Sequence, residues 1–593
     1  MQPHVRQRIL HLTQAQDIGE TDLIQPLWNQ YGTLSRVFLH GGTHDSVIVK
    51  HIQIPSHSSH PRGFTSSLSR ERKIRSYEVE TRWYQHHNKG VNEHAPTPEC
   101  LGAFSEEGEL FLLLEDLGNR GFDQVLSSAS SREIKVTLRW LAHFHGQHLN
   151  RPPEGLWHTG TYWHLATRPE ELANIEGTPL HTFASLLDAR LRCDAFPTLV
   201  HGDAKLANFL FNEQRDQVAA VDFQYIGAGA AMKDVAYFLG SCLSGSECED
   251  QEEDLLNLYF SELKTCLPGD VDAAALEREW RTLYPIAWAD FQRFMLGWSP
   301  GHRKLTFHSD ATTTRAIEHI TEDLLGAARR AAKAAGTFIQ ANKHRSLEVQ
   351  SKGMESLASD VVTEIDLEAQ DIILEILAPT LKSYDLGLLA EEGEQDDSRL
   401  EKHAFWTIDP LDGTQFYIEG KSGYATSIAL VSREGQSILG VVYDPVEDAL
   451  YEAVLGGGVK RNGTPVGPIS LLDSPPNRCT WMADRSLRSH PHFNQLEKDY
   501  DLRFKGGAVI NILHLLTCPN SMYFKMPKTS LGGCAIWDLA AAALMLMECG
   551  GHASFHDGSP LHLNRENSLY FNDVGLLFAS QGMDWHPLAG AQL

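Results

Sequence analysis

The sequence lacks any long uninterrupted run of apolar residues. Its most apolar stretch, DLAAAALMLMECGG from Asp538 onward, is far too short to span a bilayer, and we predict that it forms a buried helix. The opening residues, MQPHVRQRILHLTQAQ, contain no apolar core of the kind that secretory signals carry. These two absences favour a cytoplasmic protein that neither spans nor binds a membrane.

Cysteine and basic residues are also scarce. The nine cysteines are scattered and include no C-x-x-C pair, so a disulfide framework is disfavoured and free thiols in a reducing compartment are expected. Lysine and arginine together number 51 against 77 acidic residues, for a net charge of −26. Such an acidic chain is a poor nonspecific binder of nucleic acid. A site for phosphate groups would therefore need local cations or metal ions.

The chain has no internal repeat, and its 593 residues exceed a single hydrophobic core, which stops growing near about 250–300 residues. We predict two domains, 1–316 and 317–593, with the boundary in the weakly periodic, Thr-rich stretch 301–320. The first domain combines a small sheet, including a pair of strands within 31–53, with a large helical lobe. In the second domain helices and strands alternate, which predicts a layered α/β or α+β arrangement.

Carboxylates follow apolar runs at several places in the second half, namely at Glu391, Asp409, Asp412 and Asp538. Mg²⁺ prefers oxygen ligands of this kind, takes few of them from a protein and keeps waters and substrate phosphate. The Leu411 carbonyl, between two of the aspartates, is a further candidate ligand. A pair of metal ions can stabilise both the attacking and the leaving oxygen in phosphoester hydrolysis. Asp538 alone would be more typical of a helix N-terminus, but the full set favours a magnesium site for phosphate chemistry.

The segments VVTEID, AEEG, FWTIDPLDGTQF and WDLAAAA, in this order, resemble the motifs of the inositol monophosphatase superfamily. The resemblance implies an alternating α/β/α/β sandwich fold and a Mg²⁺-dependent phosphomonoesterase. It assigns the four acidic residues and the Leu411 carbonyl to magnesium, with Glu391 also acting in catalysis. It pairs Asp366 with Thr414 to polarise the attacking water. It places the substrate phosphate against the backbone amides of Gly413 and Thr414.

The segment after DGT, which continues to GYATSIALVS, is similar to the 3′(2′),5′-bisphosphate nucleotidase branch of that superfamily. Leu411 between the two aspartates points slightly the same way. Bisphosphate nucleotides, inositol phosphates and sugar phosphates all stay open as substrates. Phosphatases of this superfamily commonly dimerise, so the resemblance also allows a homodimer.

Two motifs in the first half have a spacing typical of kinases. HGDAKLANFLF contains Asp203 and, five residues later, Asn208, while VAAVDFQ contains Asp222. Phosphoryl transfer from ATP needs a residue that orients the acceptor hydroxyl and takes its proton, together with ligands for the Mg²⁺ ions that bridge the ATP phosphates. Asp203 suits the first role, and Asn208 and Asp222 suit the second. HGD alone would be a weak signal, but the three residues at this spacing are a strong one.

These motifs, together with SYEVETRWY and LLLEDL, resemble the aminoglycoside phosphotransferase and choline kinase-like superfamily, and most nearly its ecdysteroid kinase-like members. The resemblance implies a bilobal protein-kinase-like fold. It implies that Lys50 contacts the ATP phosphates, with Glu80 or its rival Glu78 as ion-pair partner, and that Glu115 to Leu117 face the adenine. The chain departs from the kinase pattern before Lys50, where NQYGTLSR holds a single glycine instead of G-x-G-x-x-G.

The two halves together predict a bifunctional enzyme. A small-molecule kinase that phosphorylates an alcohol would be fused to a Mg²⁺-dependent phosphatase that acts on a small phosphorylated metabolite. In the alternative, one domain is active and the other binds a nucleotide or a phosphometabolite as a noncatalytic regulator. Every expected catalytic residue is present in both halves, which favours two active domains.

Overall fold

The structure, a computed structural model, describes residues 3–53, 67–88, 93–106, 108–345, 349–351, 361–393, 396–467, 478–530 and 532–591. The chain separates into two compact units, Met1–Ile317 and Glu318–Leu593. Both units combine helices with sheets, so each is an α+β unit. Within the described parts of the chain, we find no helix that is both long and apolar enough to cross a membrane.

The N-terminal unit contains the first ten strands and the first eight helices. Its strands are β1 (Asp17–Pro26), β2 (Gly32–His40), β3 (Ser46–Ile52), β4 (Cys100–Glu106), β5 (Glu109–Glu115), β6 (Phe122–Val125), β7 (Thr198–Val200), β8 (Phe209–Asn212), β9 (Val218–Ala220) and β10 (Gly227–Gly229). Its helices are α1 (Pro3–Thr13), α2 (Ser67–Arg82), α3 (Ser131–Gln147), α4 (Pro169–Ala173), α5 (Pro179–Arg192), α6 (Met232–Cys242), α7 (Gly245–Cys266) and α8 (Ala273–Trp298). Helix α9 (Phe307–Ala341) contains the division between the units.

The first five strands form an antiparallel sheet in the order β1-β2-β3-β5-β4. The predicted strand pair within 31–53 is the β2–β3 hairpin, in which Leu34 pairs with Lys50. Two small sheets, β6-β8-β9 and β7-β10, carry the HGD and DFQ motifs among the helices. Helices α3 and α7 each start with a capping box, Ser130 with Glu133 and Ser244 with Glu247, which satisfies the free amides of their first turns.

The stretch 301–320 differs from the prediction, because most of it is helical. Helix α9 begins at Phe307 instead of near residue 321. Thr312 and Thr313 are buried there, one turn before the buried Ala316 and two turns before the buried Ile320. These four residues follow the spacing of one helix face. Threonines at buried positions weaken the apolar periodicity of the sequence, and this is why the segment resembles a linker.

The C-terminal unit continues with the remaining strands and helices. Its strands are β11 (Val349–Ser351), β12 (Val361–Thr363), β13 (Gly387–Ala390), β14 (Ala404–Asp412), β15 (Ala425–Ser432), β16 (Ser437–Asp444), β17 (Ala449–Val454), β18 (Gly458–Arg461), β19 (Thr464–Pro465), β20 (Thr480–Met482), β21 (Asp501–Arg503), β22 (Ser521–Lys525), β23 (His552–Phe555) and β24 (Leu576–Ala579). Its helices are α10 (Glu364–Ser383), α11 (Ser398–Glu401), α12 (Thr414–Ile418), α13 (Phe493–Asp499), α14 (Ala508–His514) and α15 (Ile536–Glu548).

Two sheets and two helix layers alternate in this unit. The larger sheet runs β13-β14-β15-β16-β17-β18-β19 and the smaller one β21-β20-β22-β24-β23. The apolar helix α15 lies between them, and its residues Ala540–Ala543 are fully buried in a core that includes Phe405 of one sheet and Phe578 of the other. Gly440 of β16 lets α15 approach closely, because a Cβ there would lie 2.8 Å from Ala541 Cα. Helices α9 and α10 cover the other face of the larger sheet.

Candidate active sites

Strands β13 and β14 are parallel neighbours, so the residue that follows β13 lies beside the last residues of β14. Ala390 pairs with Ile408, and the Glu391 amide donates to the Ile408 carbonyl over 3.0 Å. Glu391 and Asp409, the next residue of each strand, therefore lie side by side, and their carboxyl groups are in hydrogen-bond contact. The parallel register thus joins two motifs that the sequence separates.

Asp412 and Asp538 complete a compact acidic cluster with Asp409. One carboxylate oxygen from each of the three residues lies within 4.8 Å of the others. Asp412 ends β14, and Asp538 lies in the first turn of α15. Each accepts a hydrogen bond from a backbone amide: Leu411 donates to Asp409 over 2.9 Å, Val509 to Asp412 over 2.9 Å and Ala535 to Asp538 over 2.7 Å. Glu391 adjoins this group through Asp409.

The acidic cluster is electrostatically strained. Burial, followed by repulsion from Glu391, Asp538 and Asp412, raises the pKa of Asp409 well above its ordinary value. Burial and Asp538 raise the pKa of Asp412 in the same way. Burial and Glu391 raise the pKa of Asp538 to about 7. Buried like charges of this kind are stable when a cation lies between them, so the residues fit a hard divalent ion such as Mg²⁺.

Thr414 and Asp366 are the neighbours of this cluster that the sequence also indicates. The Thr414 hydroxyl lies 3.1 Å from Asp366 Oδ1 and 3.0 Å from the Leu411 carbonyl, and it can donate to either. Asp366 is in the first turn of α10 and Thr414 opens α12. The Thr414 hydroxyl thus lies between the Asp366 carboxylate and the Leu411 carbonyl, and the metal-binding role of that carbonyl stays a prediction.

The backbone around Asp412 has no room for side chains at two glycines. Gly413 has a φ of 87°, and a Cβ on it would lie 2.6 Å from the Gly423 carbonyl oxygen. A Cβ on Gly507, just before α14, would lie 2.3 Å from the Asp412 carboxylate. Glycine is required at both places, and it lets the amides at the start of α14 reach Asp412.

The N-terminal unit encloses a cavity of about 930 Å³. Residues from the five-stranded sheet, from α2 and from the HGD and DFQ segments line it. All seven residues that the kinase resemblance indicates are on its wall: Lys50, Glu80, Glu115, Leu117, Asp203, Asn208 and Asp222. The cavity has a volume typical of a small-molecule site.

Lys50 connects three elements at the base of this cavity. Its Nζ lies 2.7 Å from Glu80 Oε2 and 3.2 Å from Asp222 Oδ1. Burial lowers the pKa of Lys50, but Asp222 and Glu80 outweigh this effect and raise it, whereas burial raises the pKa of Glu80 to about 7. Glu78 is exposed and pairs with Arg75. Asp222 adopts a φ of 69°, which is a strained conformation for a residue other than glycine.

Asp203 and Asn208 lie on the loop that follows β7. Asn208 Nδ2 donates to the Asp203 carbonyl over 2.8 Å and to its Oδ2 over 3.1 Å. Lys205 Nζ lies 2.7 Å from the same Oδ2. Buried Asp234 accepts from the amides of His201 and Gly202, so it fixes the loop from behind.

The β1–β2 connection occupies the position that a glycine-rich loop has in the kinase pattern. Ile24 to Trp28 line the cavity, and Asn29 and Gln30 turn the chain with φ values of 55° and 59°. On the opposite strand β5, Glu115 pairs with Arg120, and Leu117 is buried just beyond it. A short asparagine–glutamine turn thus replaces the glycines.

Comparisons with known proteins agree with the C-terminal geometry. The family model described as "Inositol monophosphatase family" matches residues 321–585. An inositol-1-monophosphatase of Mesorhizobium japonicum is 30% identical over 39% of this chain and 84% of its own length. The chain belongs to the inositol monophosphatase family. A Nus factor SuhB of Pasteurella multocida is also 30% identical, over 40% of this chain and 88% of its own. A crystal structure of inositol monophosphatase-II from Staphylococcus aureus is 25% identical, covers 44% of this chain and 90% of its own and has a TM-score of 0.34.

The matched part of this inositol monophosphatase family member contains the whole acidic cluster with Asp366 and Thr414. A second family model, described as "Ecdysteroid kinase-like family", matches residues 162–268. That match includes Asp203, Asn208 and Asp222. Lys50 and Glu80 lie outside it, and their connection to the motif comes from the cavity geometry.

The sequence interpretation missed three polar residues beside the kinase-like motifs. Lys205, two residues after Asp203, could have been noticed within HGDAKLAN. Lys73 of α2 donates to Gln224 over 2.5 Å, and Gln224 donates to Asp222 over 2.5 Å. Burial lowers the pKa of Lys73 to about 8. Lys73 is one of several charged residues in α2, so no pattern in the sequence distinguishes it.

Proposed function

We propose that the chain is a bifunctional enzyme, with a kinase-like phosphotransferase domain in residues 1–316 and a Mg²⁺-dependent phosphomonoesterase domain in residues 317–593. The acidic cluster of Asp409, Asp412 and Asp538 carries the proposal for the second domain. Its substrates would be small phosphate monoesters, namely inositol phosphates, sugar phosphates or bisphosphate nucleotides. The first class has the support of relatives that are named inositol-1-monophosphatases; the nucleotidase-like branch stays a prediction.

In the phosphatase domain, Glu391, Asp409, Asp412, Asp538 and the Leu411 carbonyl would hold magnesium. The bound metal would polarise the phosphoryl group and stabilise the attacking and leaving oxygens. The Thr414 hydroxyl would donate its hydrogen bond to Asp366, and its oxygen would then accept a hydrogen bond from water. These two residues would thereby orient the water that attacks phosphorus. The amides of Gly413 and Thr414 would donate to the phosphate oxygens.

In the kinase domain, a bilobal kinase-like fold is supported by the five-stranded sheet, the helical part and the cavity between them. Lys50, held by Glu80, would contact the ATP phosphates, and Glu115 to Leu117 would face the adenine. Asn208 and Asp222 would hold Mg²⁺. Asp203 would accept the proton of the alcohol while the alcohol oxygen bonds to the γ-phosphorus of ATP. The bond from that phosphorus to the β-phosphate oxygen breaks, and ADP leaves. Lys205 could neutralise charge on the transferred group.

Phosphate release from a panel of monoesters tests the phosphatase proposal. The panel contains inositol 1-phosphate, several sugar phosphates and adenosine 3′,5′-bisphosphate, each with and without Mg²⁺. We expect Mg²⁺-dependent release that Asp409→Asn reduces at least about 100-fold, since a metal ligand stabilises charge in the transition state by several kcal/mol. Release that is unchanged by the substitution would refute the assignment of the site.

A specific contact favours the alternative in which the N-terminal domain is a regulator. Lys205 Nζ lies 2.7 Å from Asp203 Oδ2, so the carboxylate that would take the proton is already paired. ATP consumption with a library of alcohols tests this alternative. Turnover that Asp203→Asn removes would support a kinase, and nucleotide binding without turnover would support a regulator.

A further inference from the structure

The cavity of the N-terminal unit has two walls of different chemistry. The wall formed by the five-stranded sheet is apolar near Leu34, Ile48 and Leu114. The wall formed by the helical part is aromatic: Tyr162 packs against Phe294 at 5.5 Å and against Tyr237 at 5.8 Å between ring centroids. The Tyr237 hydroxyl lies 3.3 Å from Asp203 Oδ1. The aromatic wall is therefore continuous with the carboxylate that would take the acceptor's proton.

Arg168 lies on this aromatic wall. Its Cζ is 4.8 Å from the Phe294 ring centroid and 5.9 Å from that of Tyr162. The side chain is 10% exposed, and Nε and Nη1 donate to the Tyr162 carbonyl and to Glu171. These bonds fix the plane of the guanidinium. Nη2 has no hydrogen-bond partner among the described residues, so this edge of the guanidinium can take a ligand from the cavity that Arg168 lines.

Arg72 of α2 reaches the same part of the cavity. It donates to the Thr167 carbonyl over 2.7 Å and to the Ser69 hydroxyl over 3.3 Å. These partners are neutral, and among the described residues no carboxylate lies within ion-pair distance of Arg72. Burial and the neighbouring charge of Arg168 lower the pKa of Arg72. Glu171 and Glu170 both act on the charge of Arg72 from a distance, but of the two arginines only Arg168 forms an ion pair, with Glu171. Arg72 therefore keeps a positive charge without an ion-pair partner among the described residues.

This positive charge is separate from the one that would bind the nucleotide phosphates. Lys73, next to Arg72 on α2, interacts with the charges of Asp222, Lys50 and Glu80. Arg72 instead interacts mainly with Arg168, Tyr225 and Glu171. Adjacent positions on a helix point in different directions, so α2 presents one cation to the Lys50 cluster and another to the aromatic wall.

We propose that the acceptor of this domain is an alcohol that carries an anionic group, a carboxylate or a phosphate, and that Arg72 and Arg168 bind this group while Asp203 faces the hydroxyl. The proposal deepens the proposed kinase function and rests on it. A guanidinium pair suits the planar or tetrahedral oxygens of such groups. Aromatic rings alone would also suit an ammonium ion, but the two arginines repel one.

Matched sets of alcohols test the proposal on the full-length chain. One set contains 4-methylbenzyl alcohol and its analogues in which a carboxylate, a phosphonate or an aminomethyl group replaces the methyl. A second set contains aliphatic alcohols with the same four end groups. Binding is measured by titration calorimetry and turnover by ATP consumption with Mg²⁺. The phosphonate is used because the C-terminal domain cannot hydrolyse its carbon–phosphorus bond as a monoester.

We expect the anionic members to bind at least about 10-fold more tightly than the neutral ones, and the ammonium members most weakly. Arg72→Met should bring the ratio of the affinity for anionic alcohols to that for neutral alcohols close to one. Arg72→Lys should retain part of the preference for anionic alcohols. Arg132→Met, at an exposed arginine that pairs with Asp216, is the control and should leave the ratio unchanged. Arg72 is preferred to Arg168 for the test because removal of Arg168 would leave the buried Glu171 without its partner.

The outcomes separate the two proposals. ATP turnover with neutral alcohols as good as with anionic ones would overturn the anionic acceptor and leave the kinase function standing. Equal binding of all members, or a ratio that Arg72→Met does not change, would overturn it as well. Anion binding that depends on Arg72 but consumes no ATP would support the anion site and refute the kinase function. Preference for carboxylate or phosphonate would identify the anionic group.

Discussion

At the scale of single residues, Asp409 is surrounded by like charges, and their repulsion lowers the stability of the folded state when no cation is bound. Asp409→Asn removes one of the repelling carboxylates, and we expect the variant to unfold at a higher temperature than the wild type in EDTA. Mg²⁺ should raise the unfolding temperature of the wild type more than that of the variant, because a ligand that binds only the folded state stabilises it. Thermal unfolding with EDTA and with Mg²⁺ measures both effects.

The control for this prediction is Asp584→Asn, which changes an exposed carboxylate. It should shift neither temperature by more than about 1 °C, since exposed substitutions stay within about 0.5 kcal/mol. An Asp409→Asn variant that is less stable than the wild type in EDTA would contradict the repulsion.

Glu80 and Glu78 offer a second comparison of single residues. Glu80→Gln leaves the buried Lys50 with Asp222 as its remaining acid, and removal of one partner from a buried pair costs about 3–5 kcal/mol. We expect ATP consumption to fall at least about 10-fold and the unfolding temperature of the N-terminal unit to drop. Glu78→Gln, at the exposed neighbour, is the matched control and should change either quantity little. Equal losses in both variants would contradict the role of the ion pair.

At the scale of elements, the contact of β16 with α15 controls the position of Asp538. Gly440→Ala would place a Cβ 2.8 Å from Ala541 Cα, so α15 must shift. We expect a loss of about 1–3 kcal/mol in stability and a fall in phosphate release of about 10-fold or more, because small displacements of catalytic groups are costly. Thermal unfolding and phosphate release measure the two effects.

Gly467→Ala is the control, since no described residue other than its chain neighbours has an atom within 4 Å of the Cβ it would add. It should keep both stability and activity. Full activity of Gly440→Ala would show that the sheet and helix can separate without disturbing the acidic cluster.

Asp194 links the end of α5 to α8 and makes this contact sensitive to pH. It accepts from the Phe196 amide over 2.9 Å and from Trp280 Nε1 over 3.0 Å, and burial raises its pKa to about 7. The pKa in the unfolded chain is about 3.9, so unfolding releases a proton between about pH 4 and pH 7. The contribution of Asp194 to stability therefore falls as pH rises through this window, by at most about 1.4 kcal/mol per pH unit.

Asp194→Asn cannot titrate, so the difference in stability between the variant and the wild type should shift in favour of the variant from pH 4.5 to pH 7. A constant offset against the variant is expected, because the new amide group meets the Trp280 N–H, which is also a donor. Denaturant unfolding of the N-terminal unit, followed by tryptophan fluorescence, measures the difference. Asp250→Asn on the exposed face of α7 should show no such trend, and parallel pH profiles for Asp194→Asn and the wild type would contradict the assignment.

Several elements follow from the sequence because their local signals agree with their final environment. The β2–β3 hairpin and the buried helix α15 are examples. The start of α9 was wrong, because Thr312 and Thr313 are buried where apolar residues are expected. For the candidate sites, residue types and order indicate the acidic cluster. The sequence could not show that Glu391 lies beside Asp409, since this depends on the parallel register of β13 and β14, nor that Arg72 and Lys73 face different parts of one cavity.

At the scale of the whole molecule, the two proposed activities should be separable. In the full-length chain we expect Asp203→Asn to abolish ATP consumption and to leave phosphate release within about 2-fold of the wild type. Asp409→Asn should do the reverse, because each residue lies in a separate compact unit with its own chemistry. Steady-state assays of both activities on both variants measure this. If one substitution abolishes both activities, one unit regulates the other, as in the alternative proposal.

The close packing around Asp412, at Gly413 and Gly507, limits how this domain can evolve. Gly413 faces the Gly423 carbonyl and Gly507 faces the Asp412 carboxylate, at distances that are too short for a Cβ atom. The neighbour of Gly413 is backbone, and the carboxylate that faces Gly507 is held by the amides of Ala508 and Val509, so we expect that a second substitution nearby does not relieve either clash. A lineage that carries this domain can change the surrounding walls one residue at a time and so acquire new substrates. At Gly413 and Gly507 themselves, any substitution would displace the backbone beside Asp412. We therefore expect a change at either glycine to abolish the site.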